Sequence, residues 1–164
     1  MIKYGLLTAD DEMASEHEVY DFLYALVRLL KPKVILETGT YKGGATKAMA
    51  RAAKENGVGY VYSCETNWDL GNEVNAQLDS DGLPAHSSYC SGEEECSNLM
   101  NVDFAFIDSS SDRVAEVAAL NLAPNGVVVL HDAKRPQYQA IKTMRPWKAI
   151  WEIDTEQGIT VFQS

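Results

Sequence analysis

Residues 34–46 read Val-Ile-Leu-Glu-Thr-Gly-Thr-Tyr-Lys-Gly-Gly-Ala-Thr, and this stretch decides the fold. Val34-Ile35-Leu36 is a short apolar run without polar alternation, which predicts a strand buried on both faces. Gly39 permits a tight turn. Gly43 and Gly44 open a helix over 44–55 and leave its first backbone amides open to a ligand. A dinucleotide fingerprint, GxGxxG, needs glycine where Tyr41 stands, and no Walker-type GK[ST] is present. Glu37, on the strand itself, disfavours an anion and suits a cationic or amine-bearing ligand.

Outward from this unit, strands and helices alternate. Upstream, Ser15 and Glu18 are spaced as a capping box, and Val19, Phe22, Leu23, Leu26, Val27 and Leu30 follow at helical spacing until Pro32. Downstream, strands are expected at 60–64, 86–89, 102–107 and 127–130, and helices at 69–80, 112–122 and 136–143. Pro124 and Gly126 mark the end of the second of these helices. Residues 148–153 and 159–163 flank a turn holding Gly158, hence a terminal hairpin. The pattern predicts a doubly wound, Rossmann-like α/β sheet, mostly parallel, with an antiparallel strand from the C-terminal hairpin. One domain over 1–164 is expected, with residues 1–14 as an N-terminal arm.

In such a sheet, ligands bind beyond the carboxyl ends of the strands. Glu65 ends the second strand, where an acid can accept hydrogen bonds from ribose hydroxyls. Trp68 follows it, either as a platform for a purine or as a packed aromatic. Asp108 ends the 102–107 strand, and His131 and Asp132 end the 127–130 strand. These three are the candidate catalytic residues. Ser111 or Asp112 is read as a helix cap.

Composition narrows the function classes. The chain has 14 Lys+Arg against 24 Asp+Glu, a formal charge of −10, which argues against general nucleic-acid binding. No apolar run approaches the ~18 residues of a membrane span, and the N-terminus lacks the order of a signal peptide. Cys64, Cys90 and Cys96 form neither a disulfide framework nor a zinc motif, so reduced thiols and a cytoplasmic location are expected. One run departs from the acidic background. Residues 133–151 hold Lys134, Arg135, Lys142, Arg145 and Lys148 and no acid, with Tyr138, Trp147 and Trp151 among them. It reads either as a solvated face or as a docking place for an anionic or aromatic acceptor or for a partner's acidic patch.

With the strand ends in order, the chain from about residue 15 resembles the class I S-adenosylmethionine-dependent methyltransferases. Glu37, Gly39 and Gly43 look like their first-strand motif E/D-x-G-x-x-x-G. Within the class, ETGTYKGGAT, FID and LHD look most like the small-molecule O-methyltransferases of the catechol and caffeoyl-CoA types and of the sugar and macrolide group. The resemblance implies a seven-stranded fold and S-adenosylmethionine as cofactor. It implies cofactor contacts from Glu37, Gly39, Thr40, Tyr41, Gly43 and Gly44 in the loop, from Glu65 and Thr66 after the second strand, from Ser91 in the loop Cys90-Ser91-Gly92-Glu93, and from Asp108. Several members hold Mg2+ between an Asp after the fourth strand and an Asp-Asn pair after the fifth. Asp108 and Asp132 match the carboxylates, and Ala133 stands in place of the Asn.

The expected reaction is methyl transfer to a small-molecule hydroxyl, with Asp108 and Asp132 positioning the acceptor or a metal and His131 or Asp108 as base. The alternatives are a non-catalytic cofactor-binding module, or a subunit that needs a partner, and a nicotinamide oxidoreductase. A homo-oligomer that completes the acceptor site fits so small a core.

Overall fold

The computed structural model describes residues 15–164; the arm expected over 1–14 lies outside them. The elements in chain order are α1 (His17–Leu30), β1 (Val34–Thr38), α2 (Gly44–Asn56), β2 (Tyr60–Glu65), α3 (Trp68–Asp81), β3 (Ala85–Tyr89), α4 (Gly92–Asn98), β4 (Val102–Ile107), α5 (Arg113–Ala119) and β5 (Leu122–His131). A 3₁₀ turn (Pro136–Ala140), α6 (Ile141–Met144), β6 (Ala149–Ile153) and β7 (Ile159–Gln163) complete it.

The strands form one seven-stranded sheet in the order β3-β2-β1-β4-β5-β7-β6. β1 to β5 pair in parallel, β7 lies antiparallel between β5 and β6, and the terminal hairpin is thereby part of the sheet. From β1 the chain winds outward to β3, then returns to place β4 on the other side of β1. The ends of β1 and β4 are therefore the topological switch point, where the crevice of an open α/β sheet forms.

Each central strand serves two cores, which is why it reads as continuously apolar. Ile35, Phe104, Phe106 and Val129 face α1 and α2, where Leu23, Val27, Ala48 and Met49 are buried. Leu36, Ala105, Ile107, Val128 and Leu130 belong to the opposite core with Val117, Ile141 and Phe162. Helix α2 is buried along nearly its whole first three turns, and its alanines let α1 pack closely over it. Among the described residues no helix is long and apolar enough to cross a membrane.

Two local expectations are corrected, and one helix is new. The capping box does not form: α1 starts after Glu16, which makes no side-chain cap, and the Ser15 hydroxyl turns instead to Asp108. Helix α5 stops at Ala119, and β5 begins at Leu122, so Pro124 and Gly126 lie inside a strand. A register shift between Val102 and Phe104, with Asn125 at φ 65°, absorbs the irregular residues. Helix α4 was not foreseen, because Glu93, Glu94 and Glu95 give it no apolar stripe.

Candidate functional site

The loops after β1, β2, β4 and β5 enclose a cleft of about 450 Å³ at the switch point, within the range of small-ligand sites. Glu37, Gly39, Thr40, Tyr41, Gly44, Glu65, Thr66, Asp108, His131 and Asp132 all line it. Gly43 and Ser91 do not. Ser91 is the N-cap of α4, its hydroxyl accepting from Glu94 N, while its neighbours Cys90 and Gly92 face the cleft. Trp68 is also outside: it is 61 % exposed and stacks edge-on against Tyr89 at 5.5 Å.

The glycine loop is shaped first by protein packing. At Gly39 (φ 87°) a Cβ would stand 2.9 Å from the Asp108 carbonyl oxygen and from Ser109 Cα. Only glycine lets the β1 loop lie against the end of β4. At Gly43 (φ 74°) a Cβ would meet Val74 Cγ1 at 2.7 Å. Thr40 pins the loop from below: its hydroxyl shares hydrogen bonds with Ser63 and Ser87 at 2.6 Å each and reaches Cys64 O at 3.1 Å. Glu65 pins it from the side, accepting from Tyr41 N at 2.8 Å through Oε2 and from Asn67 N at 2.9 Å through Oε1. Each carboxylate oxygen keeps a second lone pair for a ligand hydroxyl.

Beneath the loop, Glu37 is wholly buried. Its Oε2 accepts from Thr46 Oγ1 at 2.5 Å and Ser63 Oγ at 2.6 Å, and its Oε1 has no partner among the described residues. Burial pushes its pKa up to about 8, with the Ser63 and Thr46 hydrogen bonds opposing and Asp108 and Glu65 adding to the rise. In the folded protein Glu37 therefore keeps its proton between pH 4.5 and about 8, where the unfolded chain has lost it. The folded state binds the extra proton, so this group's contribution to stability is fully present below pH 4.5 and is lost as pH rises towards 8, by up to about 1.4 kcal/mol per unit. Chemical denaturation at several pH values checks this, and Glu37→Gln should flatten the profile over that window.

On the β4–β5 side lies a cluster of charges. Ser15 Oγ donates to Asp108 Oδ2 at 2.6 Å. His131 is held between two carboxylates, Nδ1 at 3.0 Å from Asp108 Oδ1 and Nε2 at 2.7 Å from Glu16 Oε2. Burial pulls the imidazole pKa down, but Asp108 and Glu16 outweigh it and leave it raised. Arg113, 4 % exposed, donates from Nε to Ser109 O at 2.6 Å and from Nη1 to His131 O at 2.7 Å. Its Nη2 lies 3.0 Å from Asp108 Oδ1 and 3.1 Å from Asp132 Oδ2. Asp132, at φ 55°, also takes Arg135 Nη2 at 2.8 Å on the same oxygen.

This arrangement bears on a metal. Asp108, His131 and Asp132 each offer a ligand atom, all within 4.8 Å of one another. The gap between the two carboxylates, however, already holds the Arg113 guanidinium, and a dication bridging them would be in direct contact with a fixed positive charge. The donor set present does not fit Mg2+.

Sequence reading missed Arg113, Glu16 and the true role of Ser15. Arg113 follows the helix cap Asp112 and looks like an exposed first-turn residue; only the fold turns it inward. The basic run also resolves. Lys134 pairs with Asp154 at 2.7 Å, Lys142 with Glu152 at 2.5 Å and Lys148 with Asn125 Oδ1 at 2.8 Å. Arg145 caps the carbonyls of Val117, Ala118 and Leu120. Of the five cations only Arg135 lines the cleft.

Against known proteins, a family model described as a methyltransferase domain matches residues 36–133, more than half of the chain. The chain belongs to this methyltransferase-domain family. No curated protein sequence matches it. Among solved structures, the methyltransferase fold is similar to that of an S-adenosylhomocysteine-bound methyltransferase from Podospora anserina (TM-score 0.79, 16 % identity, 94 % of this chain and 81 % of that one). It is also similar to the S-adenosylmethionine-bound O-methyltransferase of tomaymycin synthesis from Streptomyces achromogenes (0.74, 17 %, 93 % and 82 %). An S-adenosylhomocysteine complex of a Bacillus cereus O-methyltransferase gives 0.71 at 16 % identity, covering 93 % and 84 %. The Rossmann-like methyltransferase fold and the family expected from the strand ends are thus both found.

Proposed function

We propose that this methyltransferase domain uses S-adenosylmethionine to methylate a hydroxyl of a small molecule, and that residues 1–164 act as one domain. The observation that carries the reading is Glu37. A buried carboxyl oxygen without a partner among the described residues, at the floor of a cleft, is costly unless a ligand donor meets it. The ammonium of the cofactor's methionine part is such a donor. In this reading Glu65, which lines the cleft, accepts from the ribose hydroxyls, and the wall at Cys90 and Gly92 covers the adenine. Thr66, Tyr41 and Gly44 line the same space.

When bound, S-adenosylmethionine supplies an electrophilic methyl that passes to the acceptor oxygen by in-line displacement at carbon. The protein has to align the acceptor and take its proton. Asp108 Oδ2 is the base in this reading. It already accepts a hydroxyl, that of Ser15, at 2.6 Å, so the acceptor hydroxyl would take the place of Ser15. His131 orients Asp108 rather than acting as base, because both its nitrogens face carboxylates and its raised pKa favours the charged ring, which has no lone pair to offer. Asp132, shared by Arg113 and Arg135, holds this frame. An anionic group on the acceptor would meet Arg135, which lines the cleft and is half exposed beside Asp132.

The solved O-methyltransferases in complex with the cofactor or its product support oxygen as the acceptor atom. The three free cysteines fit a cytoplasmic protein. Calorimetric titration with S-adenosylhomocysteine at pH 7 tests the cofactor assignment. One site per chain is expected, with proton release as Glu37 ionises beside the ammonium, read from the dependence of the heat on buffer. Absence of binding overturns the reading.

A further inference from the structure

We propose that Arg113 is the resident cation of this site: it bridges Asp108 and Asp132 in the position a divalent cation would occupy and excludes that cation. The inference rests on the reading of Asp108 as a group of the acceptor site, but its first test does not depend on catalysis.

Several observations converge on it. One nitrogen, Nη2, contacts both carboxylates, at 3.0 and 3.1 Å. The other donors are spent on fixed backbone carbonyls of the same two strand ends, Ser109 O after β4 and His131 O of β5. The guanidinium is therefore locked to both walls of the gap, with the Tyr138 ring 5.3 Å away on its flank. A planar fork held at four donors does not swing aside as a lysine ammonium would.

The oxygens that face the gap are already engaged. Asp108 Oδ1 takes Arg113 and His131, and its Oδ2 takes Ser15. Asp132 Oδ2 takes both Arg113 and Arg135. Mg2+ needs oxygen ligands at about 2.0–2.1 Å in near-octahedral array and keeps several waters. To bridge the two carboxylates where Arg113 does, it would have to displace both guanidinium groups from Asp132 Oδ2 and sit beside their positive charges. Ala133 offers no further ligand atom beside Asp132.

Arg113 is thus a positioning residue that acts through Asp108. Its job, fixing the carboxylate's orientation with a positive charge at the gap, is one a metal performs elsewhere by ligation. It requires no ion from solution.

Mn2+ serves as the probe, since its electron paramagnetic resonance signal reports binding directly. Wild-type protein is expected to take up no Mn2+ stoichiometrically at 1 mM-range concentrations, about the ceiling for a useful catalytic ion, and methyl transfer should survive EDTA unchanged. Arg113→Met keeps the side-chain length, removes the charge and leaves Asp108 and Asp132 facing each other. Folded Arg113→Met should gain at least a 10-fold increase in Mn2+ affinity, and Mn2+ should restore part of its lost turnover. A merely structural arginine would not produce that gain. Stoichiometric Mn2+ binding by the wild type that Asp108→Asn abolishes overturns the proposal, as does a folded Arg113→Met with no gain. The wild-type titration decides even where the variant fails to fold, and it can fail while S-adenosylhomocysteine still binds.

Discussion

Replacing Asp108 with asparagine is expected to lower the rate of methyl transfer by about 10²- to 10⁴-fold, the span for loss of a positioned general base, and to leave the cofactor's affinity within about 3-fold. The shape of the side chain is kept, and so is its contact with the Ser15 hydroxyl. What is lost is the basic oxygen. The fold should survive, because Arg113 remains held by Asp132, Ser109 O and His131 O, and His131 remains held by Glu16. Single-turnover rates, measured beside calorimetric titration with S-adenosylhomocysteine, separate the two effects. An unchanged rate would move the base away from Asp108, and a large loss of affinity would make Asp108 a cofactor contact first.

The second large effect falls on stability. Gly39→Ala places a Cβ 2.9 Å from two backbone atoms of the β4 end, at φ 87°. A left-handed alanine costs about 1–2 kcal/mol by itself. Backbone cannot step aside as a flexible side chain would, so the total should reach about 3 kcal/mol or more. For a chain of this size that lowers the melting temperature by roughly 6–12 °C. Thermal unfolding of the variant checks it. A shift under about 2 °C would mean that the β1 loop and the β4 end are not packed as described.

The gross architecture was legible because buried parallel strands carry their own signal. Val34-Ile35-Leu36 and Val127-Val128-Val129-Leu130 are short apolar runs bounded by turn residues, and in the fold they lie in a sheet covered on both faces. The strand-end acids were legible for the same reason: once β1, β2, β4 and β5 are placed, Glu37, Glu65, Asp108 and Asp132 must share one edge.

What escaped reading was set by contacts distant in sequence. Ser15 and Glu18 have the spacing of a capping box, yet Asp108, far along the chain, offers the Ser15 hydroxyl a stronger, ionic acceptor. Arg113 follows a helix cap and gives no sign that its guanidinium is buried between two strand ends. Pro124 and Gly126 are breaker residues by local rules, and a shift of the β4–β5 register keeps them within a strand. The basic run shows the converse: five cations look like a surface for anions until each is found beside its own acceptor.

The same glycines show how a right residue can be read for an incomplete reason. Gly39 and Gly43 mark the loop correctly, but the missing Cβ atoms make room for the β4 backbone and for Val74. The cleft is a consequence of that packing. Glu37 unites the two levels. Its burial raises its pKa, its Thr46 and Ser63 partners satisfy one oxygen, and the other oxygen has no partner among the described residues.

A crystal structure of the protein with S-adenosylhomocysteine tests the central claim most directly. The account predicts the ribose hydroxyls on Glu65, the amino group on Glu37 Oε1, and the sulfur facing Asp108, with Arg113 still between Asp108 and Asp132. A nucleoside bound away from Glu65, or a cleft left empty by a ligand that binds elsewhere on the chain, would contradict it.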